Sequence, residues 1–149
     1  HSRHHGSELH VLDGDLARGI ALKVAPHIQA IKVGYPLVLA EGLGVVKDLA
    51  GFGLPLIADF KVADIPNTTR LITERVFLAG FHAVICHGFV GADSVDACVS
   101  TAREYGGEVY VVAEMSRPGG WQSGYSKERQ QGTFDTFPSR TGHLGLFLV

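Results

Sequence analysis

The chain has 149 residues, of which 46% are hydrophobic and 19% are charged, and its formal net charge is −2. This length and composition are typical of one globular domain with a core of its own. The charge argues against a broad basic surface for nucleic acid. The longest apolar runs have the length of strands and fall well short of a membrane span. We therefore expect a soluble, cytoplasmic domain that binds neither nucleic acid nor a membrane.

Neither the N-terminal end nor the cysteines indicate a metal site. Residues 1–7, His-Ser-Arg-His-His-Gly-Ser, resemble the remnant of an affinity tag and are set apart from the fold. Cys86 and Cys98 lack the spacing of metal ligands. Two such cysteines in a cytosolic protein are expected to be reduced.

Strand-like and helix-period segments alternate along most of the chain. The predicted strands lie at 9–12, 30–34, 54–61, 83–87 and 108–115. The predicted helices lie at 17–27, 36–50, 68–79 and 93–104. Gly80 suits the C-terminal cap of the third helix. The regular pattern stops after Gly120, although the apolar run at 142–149 has the length of a short strand.

This alternation predicts an α/β fold with a parallel sheet and helices outside it. The strands are almost continuously apolar, as in sheets that are buried on both faces. No Gly-x-Gly-x-x-Gly follows the first strand, and polar residues end several strands, so a (β/α)₈ TIM barrel is favoured over a dinucleotide-binding sheet. A complete barrel needs about 250 residues. We therefore assign residues 8–120 to the first five barrel units and 121–149 to an irregular tail.

The most informative segment lies at the end of the third predicted strand. Asp59 and Lys61 are two residues apart, so they share one face of the strand, and Asp64 follows just past its end. An array of anion, cation and anion is costly in a core but useful where a reaction creates or destroys charge. A surface salt-bridge network is the competing interpretation. His87, at the end of the fourth predicted strand, is interpreted as structural.

Residues 59–66 match the pattern Asp-x-Lys-x-x-Asp-Ile-Pro, and three further segments accompany it in order. These are Ile-Lys-Val-Gly-Tyr-Pro at 31–36, His-Gly-Phe at 87–89 and Glu-Met-Ser-Arg-Pro-Gly at 114–119. Together they resemble the archaeal-type branch of the orotidine 5′-monophosphate decarboxylase family, over about residues 9–120. The resemblance implies a dimeric barrel that converts orotidine monophosphate (OMP) to UMP in pyrimidine biosynthesis, without a metal or organic cofactor.

The resemblance also implies catalytic roles for four residues. Lys61 matches the proton-donating lysine, and Asp59 matches the acid at the centre of the charge network. Lys32 matches the second-strand lysine that joins this network. Asp64 matches the acid that a subunit lends to its neighbour's site, which implies a homodimer.

Four further residues match positions that bind the substrate. Ile65 and Thr68 lie beside the shared acid, and Ser116 matches a serine that hydrogen-bonds the pyrimidine. Asp13 matches an acid that contacts the ribose, with Asp15 as its rival.

Part of the family pattern is missing, and two other functions stay open. The family binds phosphate with a glutamine after its seventh strand and an arginine after its eighth, and no segment here matches either. One alternative is a Mg²⁺-dependent sugar-phosphate lyase or decarboxylase of the same suprafamily, although the run Ile65-Pro66-x-Thr68 favours the orotidine branch. The other is a non-catalytic partial barrel that dimerises through residues 64–69.

Overall fold

A computed structural model describes residues 14–114 and 144–148 of the chain. The tag-like residues 1–7, the predicted strand at 9–12, Asp13 and Ser116 lie outside these described residues. Most of the predicted tail at 121–149 lies outside them as well.

The described residues form five strands and five α-helices. The strands are β1 (Ile31–Gly34), β2 (Leu56–Val62), β3 (Ala83–His87), β4 (Glu108–Glu114) and β5 (Leu144–Leu148). The helices are α1 (Gly14–Val24), α2 (Tyr35–Glu41), α3 (Gly44–Ala50), α4 (Pro66–Ala79) and α5 (Ala92–Glu104), and a short 3₁₀ turn follows α1. The predicted strands and helices within this range are present with small shifts at their ends, apart from one helix.

The prediction of a single helix over 36–50 is wrong, because α2 and α3 are separate helices. Gly42 follows α2 with a φ of 75°, in the left-handed region that favours glycine. Its N–H donates to the carbonyl of Val38 at 2.7 Å and closes the last turn of α2. Apolar residues continue at helical spacing on both sides of the break, so periodicity alone could not reveal it.

The five strands form one parallel sheet in the order β1-β2-β3-β4-β5. A doubly wound sheet reverses its strand order at a switch point, whereas these strands follow one another in chain order. Sequential parallel strands separated by helices are the winding of a (β/α) barrel. The predicted fold class is therefore confirmed, with the chain forming only part of a barrel.

The core lies on one face of β2, where the residues at 56, 58, 60 and 62 are buried. They join one apolar cluster with side chains of α4 and α5, including Val76, Phe77 and Val95. Ile57, Asp59 and Lys61 lie on the opposite face and are partly exposed. Burial of one face thus fixes the direction in which the charged residues of β2 point.

Cys86 and Cys98 are both buried free thiols. The neighbouring Cys98 and burial together raise the pKa of the Cys86 thiol well above its usual range. A protonated, buried thiol is a weak nucleophile. None of the helices in the described ranges is long and apolar enough to cross a membrane.

Candidate active site

Asp59 accepts contacts from two lysines at the end of the sheet. Lys61 Nζ lies 2.6 Å from Asp59 Oδ1, and Lys32 Nζ lies 3.2 Å from Asp59 Oδ2. The Asp59 side chain is only 11% exposed, whereas those of Lys32 and Lys61 are 33% and 25% exposed. The predicted contact between Asp59 and Lys61 on one face of the strand is therefore present, and Lys32 joins it.

The sheet register brings Lys32 to this face. β1 runs parallel to β2, with Lys32 opposite Ile57 and Gly34 opposite Asp59. Side chains of paired residues in neighbouring strands point to the same face of a sheet. Lys32 therefore lies on the face that carries Asp59, one strand away, and its long side chain reaches the carboxylate.

An irregularity in β2 shapes the backbone around Lys61. β2 pairs with β3 through Ala58 and Val84, and next through Val62 and Cys86, so residues 59–61 lie opposite the single residue 85. Lys61 has a φ of 44°, and no other non-glycine residue in the described ranges has a positive φ. A bulge often redirects a side chain beside an active site, and a strained backbone is common there. The position of the Lys61 ammonium thus depends on a backbone conformation that lysine rarely adopts.

The two lysines keep Asp59 ionised. Burial acts to raise the pKa of Asp59, but hydrogen bonds from Lys61 and Lys32, together with their charges, outweigh it and hold the pKa below its usual range. The Asp59 carboxylate is therefore shared by two ammonium groups.

Asp64 is not part of this cluster. Its side chain is exposed, and it makes no ion pair within the described part of the chain. Its Oδ1 instead accepts a hydrogen bond from the N–H of Ile65 at 2.7 Å. Among the described residues, Asp59 is therefore the acid that pairs with Lys61, and the role of Asp64 in a neighbouring subunit stays a prediction.

The predicted substrate-binding residues are only partly described. Ile65 is 66% exposed and immediately precedes α4, and Thr68 is half-buried in the first turn of α4. Asp15, the rival of Asp13, lies in α1 and pairs with Arg18. Asp13 and Ser116 lie outside the described residues.

Two aromatic residues near the array have shifted pKa values, although the sequence pattern predicts no site role for them. Burial lowers the pKa of His87, the charge of Lys61 lowers it further, and Asp59 opposes this effect. Burial and the charge of Asp59 raise the pKa of Tyr35, whose ring stacks on Phe60 with 4.9 Å between centroids. His87 ends β3 and Tyr35 directly follows β1. Their positions at strand ends are the feature of the sequence that could have indicated a place near the site.

Within residues 14–114 and 144–148, no group of three or more His, Cys, Asp or Glu side chains is arranged to hold a metal ion. Lys61 instead lies one residue before the carboxyl end of β2, the end at which barrel enzymes carry their catalytic residues, and the carboxylate of Asp59 joins it to the Lys32 side chain from β1.

Comparison with known proteins agrees with this architecture. The model of the "Orotidine 5'-phosphate decarboxylase / HUMPS family" matches residues 9–136. The chain therefore belongs to this family.

Two archaeal orotidine 5′-phosphate decarboxylases illustrate the similarity in sequence. The protein from Methanosarcina barkeri is 61% identical over 112 residues, which cover 75% of this chain and 50% of that protein. The protein from Methanococcoides burtonii is 59% identical over 112 residues, covering 75% and 52%. The chain spans about half the length of the curated relatives it matches.

Solved structures give the same picture. The Methanocaldococcus jannaschii decarboxylase complexed with the inhibitor BMP is 44% identical, with a TM-score of 0.73, covering 76% of this chain and 53% of that one. The Pyrococcus horikoshii decarboxylase is 41% identical, with a TM-score of 0.74, covering 85% and 58%.

Proposed function

We propose that the chain carries the central charge array of an orotidine 5′-monophosphate decarboxylase, which converts OMP to UMP and CO₂. The observation that carries this proposal is the nearly buried Asp59 carboxylate held between the ammonium groups of Lys61 and Lys32. Membership of the family and similarity to a protein whose structure contains the inhibitor BMP support it. We place the reaction in the cytoplasm, with OMP as substrate and UMP as product.

The array suits this reaction because the barrier to decarboxylation comes from the negative charge that develops on C6. When the bond from C6 to the carboxylate breaks, its electron pair stays on C6, and no neighbouring π system accepts it. The Lys61 ammonium stabilises this developing charge and then donates a proton to C6. A preorganised charge needs little rearrangement during the reaction and is therefore effective.

Asp59 and Lys32 tune the array around Lys61. Asp59 would lie near the carboxylate of the substrate, and the repulsion between the two anions is relieved as neutral CO₂ leaves. Lys32 pairs with Asp59 and offsets part of this negative charge. These roles require no metal or organic cofactor.

The remaining predicted residues complete the proposal. Asp64 would enter the site of a second subunit in a homodimer, with Ile65 and Thr68 beside it, and its exposure together with the absence of an ion pair in the described residues supports this role. Asp13 would contact the ribose and Ser116 the pyrimidine.

The test uses purified protein incubated with OMP, with UMP separated by chromatography and quantified. Lys61→Ala should abolish UMP formation, whereas Lys47→Ala, which alters an exposed lysine in α3, should not change it. EDTA should have no effect, and loss of activity on chelation would favour the Mg²⁺-dependent relatives. Equal UMP formation by the wild type and Lys61→Ala would contradict the proposal.

A binding measurement separates a weak enzyme from a non-catalytic module. Titration calorimetry with 6-hydroxy-UMP should detect binding to the wild type and weaker binding to Lys61→Ala. An absence of both binding and UMP formation would favour a partial barrel whose role is association.

A further inference from the structure

Two buried hydroxyl groups from different helices converge on one backbone oxygen beside the proposed site. Ser94 Oγ in α5 donates to the carbonyl oxygen of Asp64 at 2.7 Å, and Thr69 Oγ1 in α4 donates to the same oxygen at 3.0 Å. Ser94 is 3% exposed and Thr69 is 2% exposed. We name residues 63–65, between β2 and α4, the Asp64 loop.

These contacts hold the Asp64 loop from two sides. Both acceptor positions of the Asp64 carbonyl are occupied, since a carbonyl oxygen has two lone pairs. The N–H of Thr69 also donates to the carbonyl of Ile65 at 2.9 Å. The peptide that joins Asp64 to Ile65 is therefore tied to α4 by Thr69 and to α5 by Ser94.

Ser94 is an unusual choice for its location. It lies among the buried residues of α5, and its neighbour along the chain, Val95, belongs to the apolar core. Serine is seldom fully buried, and a buried hydroxyl is tolerated only when it has a hydrogen-bond partner. A carbonyl 30 positions earlier in the chain supplies that partner. Filling the space alone would need only alanine.

We infer that Ser94 is a positioning residue for Asp64. Its hydroxyl, together with that of Thr69, fixes the carbonyl of Asp64 and thereby the direction in which the exposed Asp64 carboxylate leaves the loop. This inference rests on the proposed function, because it gives Asp64 a role in decarboxylation. The inference gives a role to α5, the helix that carries Ser94. This helix contributes no charged residue to the array and belongs to a different βα unit.

The experiment uses two variants that lose a hydroxyl and two controls that keep the relevant contact. Ser94→Ala and Thr69→Val each remove one donor, and the valine preserves the size of threonine. Thr69→Ser keeps its donor. Ser100→Ala lies on the same helix and removes only an exposed hydrogen bond to the carbonyl of Asp96. Circular dichroism and thermal unfolding establish whether each variant is folded. If Ser94→Ala does not fold, Thr69→Val replaces it in the measurements below.

Hydrogen exchange tests the loop without requiring activity. Peptides that cover residues 63–69 should exchange severalfold faster in Ser94→Ala and Thr69→Val than in the wild type. The same peptides should be unchanged in Thr69→Ser and Ser100→Ala. Unchanged exchange in both variants that lose a donor would overturn the inference.

Kinetics then tests whether Ser94 acts through Asp64. Ser94→Ala should lower kcat/KM for OMP roughly tenfold, since small misplacements of a reacting group are known to be costly. In an Asp64→Asn background the same substitution should have no further effect. A purely structural role would instead lower kcat/KM by the same factor in both backgrounds, and that result would overturn the inference.

The two proposals fail in different ways. If the wild type forms no UMP and binds no nucleotide, the proposed function is overturned. Faster exchange of residues 63–69 in Ser94→Ala would still support the statement that Ser94 fixes the loop.

Discussion

Replacing Asp59 with asparagine removes the charge that two lysines share, and its effect on stability can be worked out from the structure. Asparagine keeps one acceptor oxygen but directs an N–H₂ group toward the second lysine. A hydrogen bond to a charged group contributes about 1.5–3 kcal/mol. Because Lys32 and Lys61 are 33% and 25% exposed, water compensates part of the loss. We expect Asp59→Asn to lower the free energy of unfolding by about 2 kcal/mol at neutral pH.

The effect should depend on pH in a defined direction. The pKa of Asp59 in the folded protein lies below its usual value, so the ionised carboxylate stabilises the fold above the unfolded-state pKa of about 4. This stabilisation is lost as the pH falls through the lower folded-state pKa. The difference between the wild type and Asp59→Asn should therefore be constant above about pH 5 and shrink as the pH falls below about 4.

Urea unfolding followed by circular dichroism, repeated across this pH range, measures the difference. Asp48→Asn is the matched control, because Asp48 pairs with Arg18 at 2.7 Å but its side chain is 51% exposed. An exposed pair contributes about 0–1 kcal/mol. Equal losses for the two variants, or an Asp59→Asn effect that persists unchanged at low pH, would refute this account of the array.

Three further predictions follow from particular residues. The free energy of unfolding of Lys61→Gly should be about 1 kcal/mol higher than that of Lys61→Ala, since glycine adopts a φ of 44° without the strain that alanine incurs; equal values in urea unfolding would argue against strain at this position. Gly107→Ala should lower stability by about 1–3 kcal/mol, because the added Cβ would overlap the Phe77 ring, whereas Gly44→Ala, whose Cβ would meet no atom within 4 Å, should be tolerated. The 149-residue chain should form UMP far more slowly than the Methanosarcina barkeri protein, 50% of which it covers, because no segment of the printed sequence matches the phosphate-binding pattern expected from the family resemblance, and a remote phosphate is expected to supply binding energy to the reacting centre; equal kcat/KM values would refute this.

Local patterns predicted the features that depend on neighbouring residues. The period of two along β2 placed Asp59 and Lys61 on one face, and the structure joins them at 2.6 Å. The predicted strand at 83–87 coincides with β3, and Gly80 adopts the left-handed conformation predicted for a helix cap. These features follow from side-chain alternation and from the conformational freedom of glycine, both of which can be read from the sequence.

Features that depend on distant residues could not be predicted in the same way. The register shift between β2 and β3 arises from pairing between strands. The positive φ of Lys61 therefore could not be predicted from the residues that surround it in the sequence. The contact between Ser94 and the carbonyl of Asp64 joins residues 30 positions apart. Asp64 lies three positions after Lys61 in the sequence. This short separation does not reveal that the Asp64 carboxylate makes no contact with the array.

The two faces of β2 have different roles: one face packs in the core, and the other carries charged residues of the proposed site. One face contributes Leu56, Ala58, Phe60 and Val62 to the core, while the other directs Asp59 toward the lysines. Since most of the apolar burial lies on the first face, substitutions in the array should alter charge more than packing. A variant of the array that loses activity while remaining folded therefore reports on the chemistry, whereas a change in the buried face of β2 would confound the two.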